Sequence, residues 1–114
     1  MKRVLITCDT EVGELSRHEN DAFDIFVEGK VDSKEVGVAL INQIAKEYKA
    51  YVLHFVDVYA YKNHGEKEFS DLCQNILKGG HFLGLHTHPS SLYDPNRSWM
   101  HQYSFEEQCD IIAF

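Results

Sequence analysis

The sequence predicts an α/β domain made of parallel β-α-β units, and three observations carry that expectation. Short β-branched runs alternate with stretches of helical periodicity, each run stops at a polar turn, and the spacing suits crossover connections between parallel strands. With 114 residues, 44% of them apolar and 25% charged, the chain can bury one modest core. One domain over residues 1–114 is therefore expected, without repeats, linkers or low-complexity segments.

Arg3 to Cys8 is a short, nearly continuous apolar run stopped by Asp9, which predicts a strand buried on both faces. The acidic stretch from Thr10 to Lys30 predicts a long loop with at most one short extended piece. Asp32 followed by Glu35 fits a capping box, and Val36, Leu40, Ile44 and Tyr48 recur at helical spacing, so a helix is expected from about Ser33 to Tyr48. Tyr51 to Val58 predicts a second strand. Phe69, Leu72, Cys73, Ile76 and Leu77 predict a second helix ended by Gly79-Gly80, and Phe82 to His86 a third strand. Ser90 to Tyr103 reads as a loop, after which Ser104 and Glu107 form another capping box and open a helix at Phe105.

Eleven Lys and Arg against eighteen Asp and Glu give a net charge of −7, with the basic residues scattered, so no nucleic-acid partner is expected. No apolar run approaches the ~18 to 20 residues of a membrane helix. Met1-Lys2-Arg3 leads into too short an apolar run for a signal peptide, so no membrane association is expected and the chain reads as cytoplasmic. Cys8, Cys73 and Cys109 are odd in number and widely spaced, which fits reduced core thiols better than a disulfide framework or a zinc ribbon.

In parallel sheets chemistry gathers where strands end, and two of the strand ends here are unusual. Cys8-Asp9-Thr10-Glu11 places carboxylates at i and i+2, on one side of an extended chain, where one can hold a metal while the other takes a proton. His86-Thr87-His88-Pro89 places two imidazoles on one side of a strand that Pro89 terminates, a chelating arrangement. Two histidines and one carboxylate make the three-ligand set of a catalytic zinc-type site with an open position. Zinc, iron, cobalt, nickel and manganese all accept such donors. His54 and His81 read as structural, while His18, His64 and His101 fall in predicted loops without a spaced partner. Trp99, Met100 and Tyr103 either line a sugar or acyl pocket or anchor their loop to the core.

Ile6-Thr7-Cys8-Asp9-Thr10-Glu11 resembles the first motif of the polysaccharide deacetylase (NodB-type) superfamily, and Gly80 to Pro89 resembles its second. Ala39 to Asp57 looks like that family's first β-α-β unit, and Tyr103 to Gln108 like a segment of its bacterial H-x-H-P branch. The resemblance implies the first half of a distorted (β/α)7 barrel and metal-dependent hydrolysis of the amide of an N-acetylated carbohydrate. It assigns Asp9 as general base and Glu11, His86 and His88 as ligands of a divalent metal, zinc foremost. The sequence departs from the pattern at Glu11, where the family has an aspartate, and at Ser90, where it has its second histidine; His88 takes that role instead. The later motifs, which supply an arginine, an aspartate and the general acid, are absent, so the chain reads as a truncated N-terminal portion with little or no turnover of its own.

Two other readings are open. An H-x-H-P metallo-isopeptidase would want a serine and an aspartate downstream, and Ser98 and His101 stand at roughly those places. A truncated, non-catalytic domain that binds metal and forms a homo-oligomer would explain the unpaired edges of a three-stranded sheet.

Overall fold

The computed structural model describes residues 4–13 and 21–113. Strand β1 spans Ile6–Thr10, and a π-helical turn over Phe23–Glu28 leads into a hairpin of β2 (Lys30–Val31) and β3 (Lys34–Glu35). Helix α1 (Val38–Glu47), β4 (Val52–Asp57), the one-turn α2 (Tyr61–His64), α3 (Glu66–Lys78), β5 (Phe82–His86) and α4 (Phe105–Ala113) follow. The strands β1, β4 and β5 form one parallel sheet in that order, as the alternating pattern predicts. Glu14 to Glu19, part of the expected long loop, and His18 lie outside the described residues. The short piece expected there as extended is instead the π-helical turn, closed by Gly29 in the left-handed region.

Helices cover only one face of the sheet. Val56 meets Val38 of α1 and Phe69, Leu72 and Ile76 of α3, and Val12, Ala22, Phe23 and Val27 close this core from the loop side. On the opposite face Thr7, Asp9 and Phe82 are exposed while Leu53 and Phe55 are half-buried. The molecule is accordingly a slab, 43 × 41 × 21 Å, with a radius of gyration of 15.1 Å where about 13 Å suits a compact chain of this length. Gly84 is needed on the open face, because a Cβ there would come within 2.6 Å of the Phe55 ring.

Three sequence expectations are corrected. The first strand is not buried on both faces: it is an edge strand, Ile6 is 41% exposed, and only Thr10 is buried. The cysteines are not core residues, since Cys109 is exposed and Cys8 and Cys73 are half-buried. Helix α1 begins at Val38, and the Asp32-Glu35 pair caps nothing. Asp32 and Ser33, with φ of 47° and 65°, form the two-residue turn of the β2-β3 hairpin, where both central residues take positive φ. The inward face of α1 also differs from the expected stripe: Val38 and Ala45 are buried, whereas Val36, Ile44 and Tyr48 are exposed.

The second capping box is present as expected. The Glu107 N–H donates to Ser104 Oγ at 3.3 Å, and the Ser104 N–H donates to Glu107 Oε2 at 2.7 Å. Helix α4 is tied to the sheet by a small cluster of Tyr59, Tyr103 and Ile111, in which the Tyr59 hydroxyl donates to the Ile111 carbonyl at 2.7 Å.

Candidate metal centre

Parallel strands bring their C-terminal ends to one edge of the sheet. Asp9 is the next-to-last residue of β1 and Glu11 follows just beyond its end, while His86 ends β5 and His88 follows two residues later. Extended geometry sends Glu11 and Asp9 to one side, and His86 and His88 likewise. Pro89 then opens a short 3-10 turn over Pro89–Ser91, which stops the chain from running on past the histidines.

Glu11, His86 and His88 converge on one point. Glu11 Oε2 lies 2.7 Å from Nε2 of His88 and 3.2 Å from Nε2 of His86, and the two ring nitrogens are 3.0 Å apart. Zinc–nitrogen and zinc–oxygen distances of about 2.0 to 2.2 Å limit two donors on one ion to about 4 Å of separation, and all three pairs fall inside that limit. The donor set fits a divalent first-row ion, and the group is the one metal-type cluster of three donors among the described residues. Asp9 stands behind the ligand side of His86: its Oδ1 is 4.0 Å from Nδ1, the nitrogen that faces away from Glu11, and its side chain is 62% exposed.

His88 is held more firmly than His86. It is buried, its ring meets the His86 ring edge-on at 4.8 Å, and the Trp99 ring packs against its other side at 5.0 Å. Trp99 is itself half-exposed, so one part of the indole covers His88 while the rest faces solvent. Its loop is fixed by the Trp99 N–H donating to Gln102 Oε1 at 2.8 Å and by Arg97, which pairs with Asp94 and Glu107 and lies over the Tyr103 ring. Met100 and Tyr103 belong to the cluster under α4, so of these three aromatic and thioether side chains only Trp99 borders the site.

One carboxylate at the site has no counterpart in the motif reading. Asp57 ends β4, sits in register with His86 and is buried, and its Oδ1 accepts the backbone N–H of His88 at 3.3 Å. Burial pushes the Asp57 carboxyl up to about 6, against the opposing pull of the His88 N–H and the two imidazoles. The signal for it was its position: it closes its strand as His86 closes β5, with Asp9 one residue short of the end of β1. His54 and His81 are structural, as read. His81 Nδ1 accepts the Val52 N–H at 3.3 Å, and both rings lie in the interior.

A cavity of about 500 Å³ is lined by Tyr61, Phe69, Cys73, Leu85 and Ile112 and by none of the converging residues. No protein-family model, curated protein or solved structure matches the chain.

Proposed function

We propose that the chain carries the metal centre of a deacetylase-like hydrolase that cleaves the C–N amide bond of N-acetylated carbohydrate, within the first half of a distorted barrel. The observation that carries this reading is the convergence of Glu11, His86 and His88 on one point at a strand-end edge. Bound there, a divalent ion such as zinc supplies Lewis acidity toward a carbonyl oxygen and acidifies water. Glu11 Oε2 and the two Nε2 atoms would hold the ion, and the exposed carboxylate of Asp9, on the outer side of His86, would take the proton of the attacking water and pass it to the leaving amine. Trp99 keeps bulk water off His88 and offers its outer part to a sugar ring. The three free cysteines support a reducing, cytoplasmic setting.

Titration calorimetry with zinc at neutral pH tests the centre. One ion per chain is expected, with binding lost in His86→Ala, and metal-dependent acetate release from N-acetylated oligosaccharides by the full natural chain tests the reaction. Flat titrations with zinc, cobalt, nickel and manganese overturn the centre. Binding without acetate release overturns the hydrolase.

A second reading, a metal-binding domain that associates with its own copies, is favoured by the apolar surface. Val36 before α1, Ile44 on it and Tyr48 at its end are exposed, and Phe82 and Tyr51 stand exposed beside the open sheet face. Light scattering over a dilution series checks it: a homo-oligomer is expected, and a monomer at every concentration removes this reading.

A further inference from the structure

We propose that Asp57 is a positioning residue for the metal ligand His88, acting on the ring through a single buried water. The inference rests on the metal centre described above. When Nε2 of His88 coordinates an ion shared with Glu11 and His86, the ring's proton belongs on Nδ1, and a buried N–H requires an acceptor. His88 Nδ1 is fully enclosed and has no protein partner among the described residues. In metal sites the acceptor behind a ligand histidine is a carboxylate, a backbone carbonyl or a water, and it fixes the ring's tautomer and orientation.

Asp57 is the buried carboxylate next to His88. It is 4% exposed, and it already grips the His88 backbone N–H, so the same residue fixes the main chain of the ligand. Between Glu11, Val12, Asp57, Ala60, His88 and Ser90 lies a small pocket of about 10 Å³. That is the space of one water, and its walls supply the two or more polar partners a buried water needs. Asp9 differs: it is exposed, lies 4.0 Å from Nδ1 of His86, beyond hydrogen-bond reach, and holds no backbone group of that histidine.

Asp57→Asn tests the role, because the amide oxygen still accepts the His88 N–H while the negative charge is gone. If Asp57 serves only to clip the loop, the variant binds zinc like the wild type. As a positioning residue, its loss of charge is expected to weaken zinc binding 10- to 100-fold, the usual effect of removing such a partner, and to shift the visible bands of the cobalt-loaded protein. Long-range proton–nitrogen NMR of the wild-type zinc form is the measurement that does not depend on the variant folding. It is expected to show His88 protonated at Nδ1, with a slowly exchanging proton. Wild-type affinity and cobalt spectrum in Asp57→Asn overturn the inference and leave the metal centre standing. So does a His88 bound through Nδ1. A wild-type chain that takes up no metal overturns both.

Discussion

The hydroxyl of Thr10 and Nδ1 of His54 lie 3.0 Å apart inside the core, and Nε2 of the same ring lies 2.8 Å from Asn42 Oδ1. The amide oxygen can only accept, so Nε2 carries the proton and Nδ1 accepts from Thr10. One fully buried imidazole thereby joins β1, β4 and α1. The consequence for the site is directional. Thr10 is turned inward, and its neighbours Asp9 and Glu11 are sent to the other side of the strand, toward His86 and His88.

This clamp predicts a loss of stability in acid. Burial, reinforced by the nearby His81, holds His54 below its ordinary value of 6.5. The unfolded chain therefore binds a proton that the native state refuses, and stability is full above pH 6.5 and falls as pH drops below it. The slope from this one group is at most about 1.4 kcal/mol per pH unit. Asp57 acts in the opposite sense, since its raised carboxyl is relieved by protonation below about 6. Urea unfolding from pH 8 to 5, with chelator present, should show the wild type losing stability relative to His54→Leu as the pH falls below 6.5, the Asp57 contribution being common to both. An equal acid loss in the two proteins would place the sensitive group elsewhere.

The two capping-box patterns show what the sequence could reveal. Ser104-Glu107 makes both bonds and Asp32-Glu35 makes neither, although the residue types are as good in the second pair. The difference is tertiary. Gly29 and Gly37 pack backbone to backbone, so close that a Cβ on Gly29 would lie 2.1 Å from the Gly37 nitrogen, and this contact folds the intervening residues into a hairpin. Nothing in a helical pattern reports such a long-range contact. The apolar stripe misleads for a related reason: Asn42 has to face inward to reach His54, which turns Ile44 outward, and Val36 lies before the helix begins. The strands were legible because short β-branched runs between polar turns leave few alternatives. The convergence of Glu11, His86 and His88 was legible because period-two spacing at strand ends fixes direction. Asp57 was hidden among apolar neighbours, and its burial depends on how β5 lies beside β4.

The hairpin turn gives a second prediction. Asp32 and Ser33 both hold positive φ, and a non-glycine residue in that region costs about 1 kcal/mol or more. Ser33→Gly removes the strain and creates the Asp-Gly pair that two-residue turns of this type favour, at the expense of some unfolded-state entropy. A net gain of roughly 0.5 to 1 kcal/mol is expected from chemical denaturation. A loss on that scale would mean that the Ser33 side chain contributes more than its backbone conformation costs.

The third prediction separates ligand from base. Glu11, His86 and His88 present their donor atoms to one another, whereas Asp9 reaches only the far nitrogen of His86, at 4.0 Å. Removing the Asp9 charge should leave the ion in place, so Asp9→Asn is expected to bind zinc within a few-fold of the wild type. Whatever acetate release the wild type shows should fall by about 10²- to 10⁴-fold, the contribution of a positioned proton acceptor. His86→Ala removes a donor and should lose metal and reaction together. Wild-type affinity should also weaken as pH falls, because imidazole and carboxylate ligands must shed protons to bind. Stripping the ion with a chelator should abolish acetate release, and returning zinc should restore it. Calorimetry at two pH values and an acetate assay on the same preparations measure all of this. If Asp9→Asn loses the ion as completely as His86→Ala does, Asp9 is a ligand, and the proton acceptor has to be sought among the other carboxylates at this edge, beginning with Asp57.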